Sequence, residues 1–492
     1  KTGEIDYTEI DERDGVLWEE IATMKKQSIV LGVAPTKRSF LSMEEAKRQK
    51  DKFMAVIRSI HPDVVTIVDI DDICENGILY ETAKIPAVVD KFKAAKIDAL
   101  FTPHCDFGEE QCAAGVAAAM KVPTLMWGAR DERPNTDESR GRDTQCGMFA
   151  CTKVMRRFGV QYSYIWNCET ESEDFRNGFD SFIRVVSVIK AVKNLRIAKF
   201  GARPEPFMSV TANEGDLATK LGVTVVPISP NTVAARMDQL IGENSPRLQD
   251  YVADVKQRMD ASGMKEEAVE RAAAAKLAIQ DLMEEKHCAA GAMECWSAVT
   301  VLGAPVCMAL GELSDEGLPV SCETDVNGAV TMAMLQAVTL GKEACFLADL
   351  TIRHPQNDNA ELLWHCGPFP YSLKDSSSVA RLVQGQERFE LKKGPITVCR
   401  FDDVDGKYYL FGGEGKGVDG PETNGTYVWF ETNNWKMWEE KLMFGPYIHH
   451  VGGIYGNYKK VLREAARYLG MILMMRTNRA CIACNLRKEK LP

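Results

Sequence analysis

From Ser28 to Trp127 the chain alternates near-continuous apolar runs with helical patterns, and few folds accommodate that alternation. The apolar runs are Ser28–Val33, Val64–Ile70, Ile97–Thr102 and Val122–Trp127; helical spacing marks about Ser42–Ser59, Ile85–Ala95 and Glu109–Met120 between them. Strands that are apolar along their whole length must be buried on both faces, which is the condition of a parallel sheet covered by helices on each side. A second unit of the same kind runs through Val160–Trp166, a long helix over Asp174–Asn194, then Leu195–Phe200 and Val223–Ile228. Helices fill Asn231–Lys286, with Met264–Glu285 the most amphipathic, and Val299–Val306 reads as a further strand. Beyond about residue 352 the texture changes to shorter strands with glycine turns and aromatics, ending in a helix from about Tyr458 to Met475. The fold class expected is therefore α/β. Two doubly wound parallel-sheet domains, 1–165 and 166–351, precede a C-terminal antiparallel β-rich, barrel-like domain over 352–492. A short helix is expected over residues 14–25, and Asp131–Gln145 reads as a loop.

At 492 residues the chain is long enough for two or three cores. Its 60 basic and 70 acidic residues show no basic face or run, so a nucleic-acid partner is not expected. Fifteen cysteines are scattered through apolar segments and read as reduced core thiols, including the close pair Cys481 and Cys484, which lacks the second pair or histidines of a zinc site. With no signal-peptide pattern and no uncharged run of membrane-spanning length, a cytoplasmic protein without a membrane partner is expected. There is no glycine-rich phosphate loop in a strand-to-helix context, so a nucleotide cofactor is not expected.

The chemistry gathers around Gly317–Asp349. Glu323 and Asp349 sit at the edges of hydrophobic segments, where an isolated carboxylate is costly to bury, and a metal ion or a transferable proton is the reason to keep them there. Capping of the helix expected over Asn327–Leu340 by Glu323, with Asp325 assisting, is compatible with that role. Of seven histidines, His365, in Leu363-Trp364-His365-Cys366-Gly367, and the pair His449-His450, before Val451-Gly452-Gly453, stand in aromatic, glycine-flanked contexts that allow close approach of a ligand. The strand-end loops add Thr36-Lys37-Arg38, Thr102–Phe107, Trp127–Arg130 and Gly201–Phe207.

Read in order, Cys295-Trp296, Val306-Cys307-Met308, Leu318-Pro319, Cys322–Ala329, Asp349, Trp364-His365-Cys366 and His449-His450-Val451 resemble the L-fucose isomerase and L-arabinose isomerase superfamily, nearer the fucose isomerase branch. The resemblance implies a ketol isomerase acting on a free sugar such as L-fucose, L-arabinose or D-arabinose through an enediol. It also implies one divalent ion, Mn2+ with Co2+ or Mg2+ as substitutes, held by Glu323, Asp349 and His450. His365 and His449 are then either ligands or groups that support them. Glu323 and Asp349 would share the catalytic acid and base roles, and Lys37, Arg38, Trp127 and Trp364 would contact substrate. A homo-oligomer, trimer or hexamer, with the site near a subunit interface is implied as well. Ala34-Pro35 stands where the fucose branch has an arginine, which weighs against fucose itself. The alternatives are an epimerase or lyase using the same enediol chemistry, or a sugar-binding protein without turnover.

Overall fold

Five strands, β1 (Ile29–Val33), β2 (Val65–Val68), β3 (Ala99–His104), β4 (Thr124–Gly128) and β5 (Tyr162–Tyr164), form an all-parallel sheet in the order β2-β1-β3-β4-β5. They belong to a computed structural model that describes residues 28–133 and 141–473. The chain divides into two units, Lys1–Lys190 and Ala191–Pro492. In the first unit the strands are joined by α1 (Met43–Arg58), α2 (Ile85–Ala94), α3 (Glu110–Met120) and α4 (Thr144–Arg157), and α5 (Glu173–Val192) follows β5. Ser42 caps α1 by accepting from the Glu45 backbone N–H. The expected strands therefore form, with one shift: Val160–Trp166 yields β5, which pairs with β4 at the edge of the first sheet instead of opening the second. Edge strands need not be apolar throughout, so composition does not say which sheet they join.

The second unit begins with a four-stranded parallel sheet, β6 (Arg196–Phe200), β7 (Thr224–Ile228), β8 (Ala290–Met293) and β9 (Val320–Ser321), in the order β7-β6-β8-β9. Helices α6 (Pro230–Gly242), α7 (Pro246–Arg258) and α8 (Glu266–Glu285) lie between β7 and β8, and α9 (Cys307–Asp315) leads into β9. The run Ala272–Ala275 of α8 is wholly buried, as close helix packing requires. The strand expected at Val299–Val306 is not formed: Ala298–Leu302 is a short helix closed by Gly303 at φ +68°. The strand lies upstream at Ala-Gly-Ala-Met, poor strand formers held extended by pairing with β6 on one side and β9 on the other.

Next come β10 (Phe346–His354), β11 (Asn357–His365), β12 (Arg381–Val383), β13 (Gln386–Glu390), β14 (Pro395–Val404), β15 (Lys407–Val418), β16 (Thr426–Glu431), β17 (His450–Tyr455) and β18 (Ile472–Leu473). Six of these close into an antiparallel ring, β16-β11-β10-β17-β14-β15 and back to β16, which leaves no edge among them. Helices α11 (Trp435–Phe444) and α12 (Lys459–Tyr468) pack on β11 and β15. The final helix is thus shorter than expected. Between α9 and β10 runs α10 (Val326–Val338), buried on every side and packed against β8, β14 and β17, so the second sheet and the barrel share one core. Among the described residues no helix is long and apolar enough to cross a membrane. The segment 14–25 and the pair Cys481 and Cys484 lie outside the described residues.

Candidate functional site

The turn after β9 sets the position of Glu323. Glu323 and Thr324 both adopt left-handed backbone, at φ +52° and +56°. Each such non-glycine residue costs on the order of 1–3 kcal/mol and persists only where its surroundings hold it. Here Thr324 is held at both ends, its N–H on the Met293 carbonyl (3.1 Å) and its hydroxyl on the Ala202 carbonyl (3.1 Å). Asp325, not Glu323, is the cap of α10: its carboxylate accepts from Gly328 N–H at 2.8 Å. The strained turn thereby frees the Glu323 side chain from capping.

The barrel supplies the opposite wall. Asp349 on β10 pairs directly with His450 on β17, so both side chains leave the same face of the ring. His450 Nε2 lies 3.3 Å from Glu323 Oε2 and 3.5 Å from Asp349 Oδ1, and His365 Nε2, at the end of β11, lies 3.8 Å from Glu323 Oε2. All four of these atoms are buried, and none has a hydrogen-bond partner among the described residues. An unsatisfied buried polar atom costs about 1–3 kcal/mol. The three short distances link all four in a row, and two carboxylate oxygens with two imidazole nitrogens are a donor set that could hold a hard-to-borderline divalent ion.

The electrostatics agree with a cation site. Burial alone would raise the Glu323 carboxyl, but the neighbouring His365 and then His450 outweigh it and hold the acid below its ordinary value. Burial would likewise suppress protonation of His365. Cys366, Glu323 and Asp349 reverse that and raise the imidazole well above its usual range, so the carboxylates create a field that favours positive charge.

His450 is aimed by a buried network. Its Nδ1 lies 2.9 Å from Asp325 Oδ2, which fixes the proton on Nδ1 and turns the lone pair of Nε2 toward the site. Arg400 on β14, fully buried, holds both oxygens of Asp325, the second at 3.0 Å, and its Nε donates to Asp402 at 3.0 Å. Asn327 donates to Asp402 (2.9 Å) and Asp403 (2.8 Å). Burial raises the Asp325 acid, and the Arg400 charge with the His450 contact overcomes this and keeps it ionised.

Aromatic rings line the site. Phe207, from the loop after β6, stacks 6.1 Å from the His450 ring and meets Trp296 edge-on at 5.1 Å, and Trp296 Nε1 donates to Glu323 Oε1 at 3.4 Å. His449 is exposed, with Nε2 3.9 Å from Asp349 Oδ1 and its ring 4.4 Å from that of His450. Partial burial lowers its pKa. Trp364 stacks parallel to His365 and donates to the Asn424 carbonyl at 2.6 Å.

Of the residues singled out in the sequence, Glu323, Asp349, His365, His449, His450 and Trp364 come together in the second unit. Lys37, Arg38 and Trp127 belong to the first. Lys37 is buried and donates to the Arg38 and Ser39 carbonyls, Arg38 pairs with Glu109 (3.1 Å) and Glu110 (3.2 Å), and Trp127 is enclosed by Phe53 and Phe175. Sequence reading did not single out Phe207, Arg400 or Asn327. A lone arginine in the apolar run Ile396–Phe401 was the available signal for Arg400, because a buried charge demands a partner.

Comparison with known proteins gives two family matches: residues 32–193 match the fucose/sulfoquinovose isomerase N-terminal domain, and residues 381–476 the L-fucose isomerase C-terminal domain. Together they span just over half of the chain. The sulfoquinovose isomerase of Priestia aryabhattai is 25% identical over 414 residues, covering 81% of this chain and 90% of that protein. A sulfoquinovose isomerase of Alkalicoccus urumqiensis is 24% identical over 384 residues, covering 76% and 85%.

Proposed function

The chain belongs to the fucose/sulfoquinovose isomerase family, whose members interconvert an aldose and a ketose, and on that premise we propose that it does so with a divalent cation, Mn2+ first, held by Glu323, Asp349 and His450. His365 completes the donor set. The observation that carries this is the set of four buried, unpartnered atoms linked by distances of 3.3–3.8 Å, Glu323 Oε2, Asp349 Oδ1, His365 Nε2 and His450 Nε2. When bound, a divalent cation supplies the electrophile that stabilises negative charge on the sugar's oxygens at C1 and C2.

The residues of the chain do the rest. Conversion of an open-chain aldose to its ketose takes a proton from C2 and returns one to C1, while a proton passes from O2 to O1. Glu323 and Asp349 divide this work, one carboxylate receiving the carbon-bound proton and the other serving the oxygens. Asp325 and Arg400 hold His450 in place. Phe207, Trp296 and Trp364 offer apolar faces for a sugar and reduce the access of water. Trp296 is 55% exposed, and in the homo-oligomer we assign to this family member a second subunit covers that side.

The test is conversion of aldose to ketose across a panel of L-fucose, L-arabinose, D-arabinose and sulfoquinovose, the last being the sugar in the relatives' name. Protein stripped with a chelator is inactive, and added Mn2+ restores turnover of at least one sugar. Undiminished turnover after removal of all divalent ions contradicts the proposal.

A further inference from the structure

Two thiols stand beside the same carboxylate that serves the centre described above. Cys295 Sγ lies 3.0 Å from Cys322 Sγ, and with a Glu323 carboxylate oxygen the three donor atoms fall within 4.8 Å of one another. Topology brings them together. β8 and β9 are adjacent and parallel, with Ala292 opposite Ser321, so the residues just past their carboxyl ends, Cys295 and Cys322, meet at one edge of the sheet. Cys322 is buried and Cys295 half-buried, which leaves an approach from solvent to a pair otherwise shielded by protein. Glu323 is 7% exposed, and its Oε2 has no hydrogen-bond partner among the described residues.

The two donor sets differ in kind. Carboxylate oxygens and imidazoles suit manganese or magnesium, whereas two sulfurs and one carboxylate suit zinc or cadmium. We propose that Cys295, Cys322 and Glu323 form a second metal site, selective for thiophilic divalent cations and sharing Glu323 with the first. Each thiol releases its proton to solvent as its sulfur binds the ion, so no oxidant or reductant is involved. Because one carboxylate serves both sites, a thiophilic ion draws Glu323 away from Asp349 and His450 and opposes Mn2+ binding. This antagonism rests on the isomerase reading, whereas the site itself does not. Cys307 and Cys366, 3.5 Å apart near His365, form a second thiol pair that sits in no such three-donor cluster among the described residues.

The test titrates Cd2+ into the full chain, kept reduced with a phosphine and carrying Cys481→Ser and Cys484→Ser so that this pair does not compete. Saturable ultraviolet cadmium–thiolate absorption is expected. Cys295→Ser and Cys322→Ala should each abolish it, and Cys295→Ser should still bind Mn2+ and resist inhibition by Cd2+. Absorption unchanged in both variants, or Cd2+ binding with no thiolate absorption, overturns the proposal. If the absorption appears and is lost in the variants while the parent protein binds no Mn2+ and converts no sugar, the thiol site stands and the isomerase reading falls.

Discussion

Asp325 carries a heavy load for one side chain: it caps α10, accepts from His450 and neutralises Arg400. Removing its charge while keeping its shape should loosen His450 without removing it. Asp325→Asn is therefore expected to weaken Mn2+ affinity by on the order of 10–100-fold, read by titration of the folded variant, and unchanged affinity would show that His450 needs no such support. Arg400 is the counter-charge to two buried carboxylates, Asp325 and Asp402. Arg400→Met leaves both uncompensated and should lower unfolding stability by about 3–5 kcal/mol in denaturant melts, with Asp325→Asn added in the same chain recovering part of the loss. At this scale the sequence is informative where a polar residue sits against an apolar run, as Glu323, Asp349 and His450 do. Arg400, within the apolar run Ile396–Phe401, carries the same signal but was not singled out by it. Phe207 was not legible, because nothing in Gly201–Phe207 says that the loop turns toward a histidine roughly half the chain away; only the parallel order β6-β8-β9 with the barrel beyond brings the two together.

Among elements, β17 is the most constrained. A Cβ on Gly453 would stand 2.2 Å from the Phe346 ring, and one on Gly452 2.6 Å from Leu335 of α10. These glycines let β17 lie close against β10 and α10, which sets the separation of His450 from Asp349. Gly453→Ala should destabilise the protein by roughly 1–3 kcal/mol as strand and ring are forced apart, seen as a lower denaturation midpoint. An unchanged midpoint would mean that the strand tolerates the shift. The alternation of apolar strands and helices made most elements of the first sheet legible, because a strand buried on both faces leaves a composition signal. β8 left none, since Ala290–Met293 is extended only by virtue of its neighbours, while β-branched Val299–Val301 coils into a helical turn ahead of Gly303. The closure of the barrel through β15 and β16 depends on long-range pairing that no local pattern encodes.

At the scale of the whole molecule, the two units carry buried groups of opposite pH response. In the first, burial lowers His104 from 6.5 to about 4, so the unfolded chain takes up the proton first and stability is lost as pH falls from 6.5 toward 4. In the second, burial raises Glu361 from 4.5 to about 7, so its contribution is fullest below 4.5 and is lost as pH rises through about 7. His104→Gln should flatten the acid-side loss, and Glu361→Gln the loss toward neutral pH, in denaturant melts across that range. A variant that leaves its limb unchanged assigns that limb to other groups. The account as a whole rests on proton transfer at one centre, and solvent deuterium incorporation tests it most directly. Mn2+-loaded protein is incubated in deuterated water with the sugar it converts, beside Glu323→Gln and Asp349→Asn. Deuterium at C1 of the ketose or C2 of the aldose, lost in both variants while the fold is kept, is the predicted result. Exchange that survives both substitutions would place the chemistry elsewhere in the chain and contradict the account.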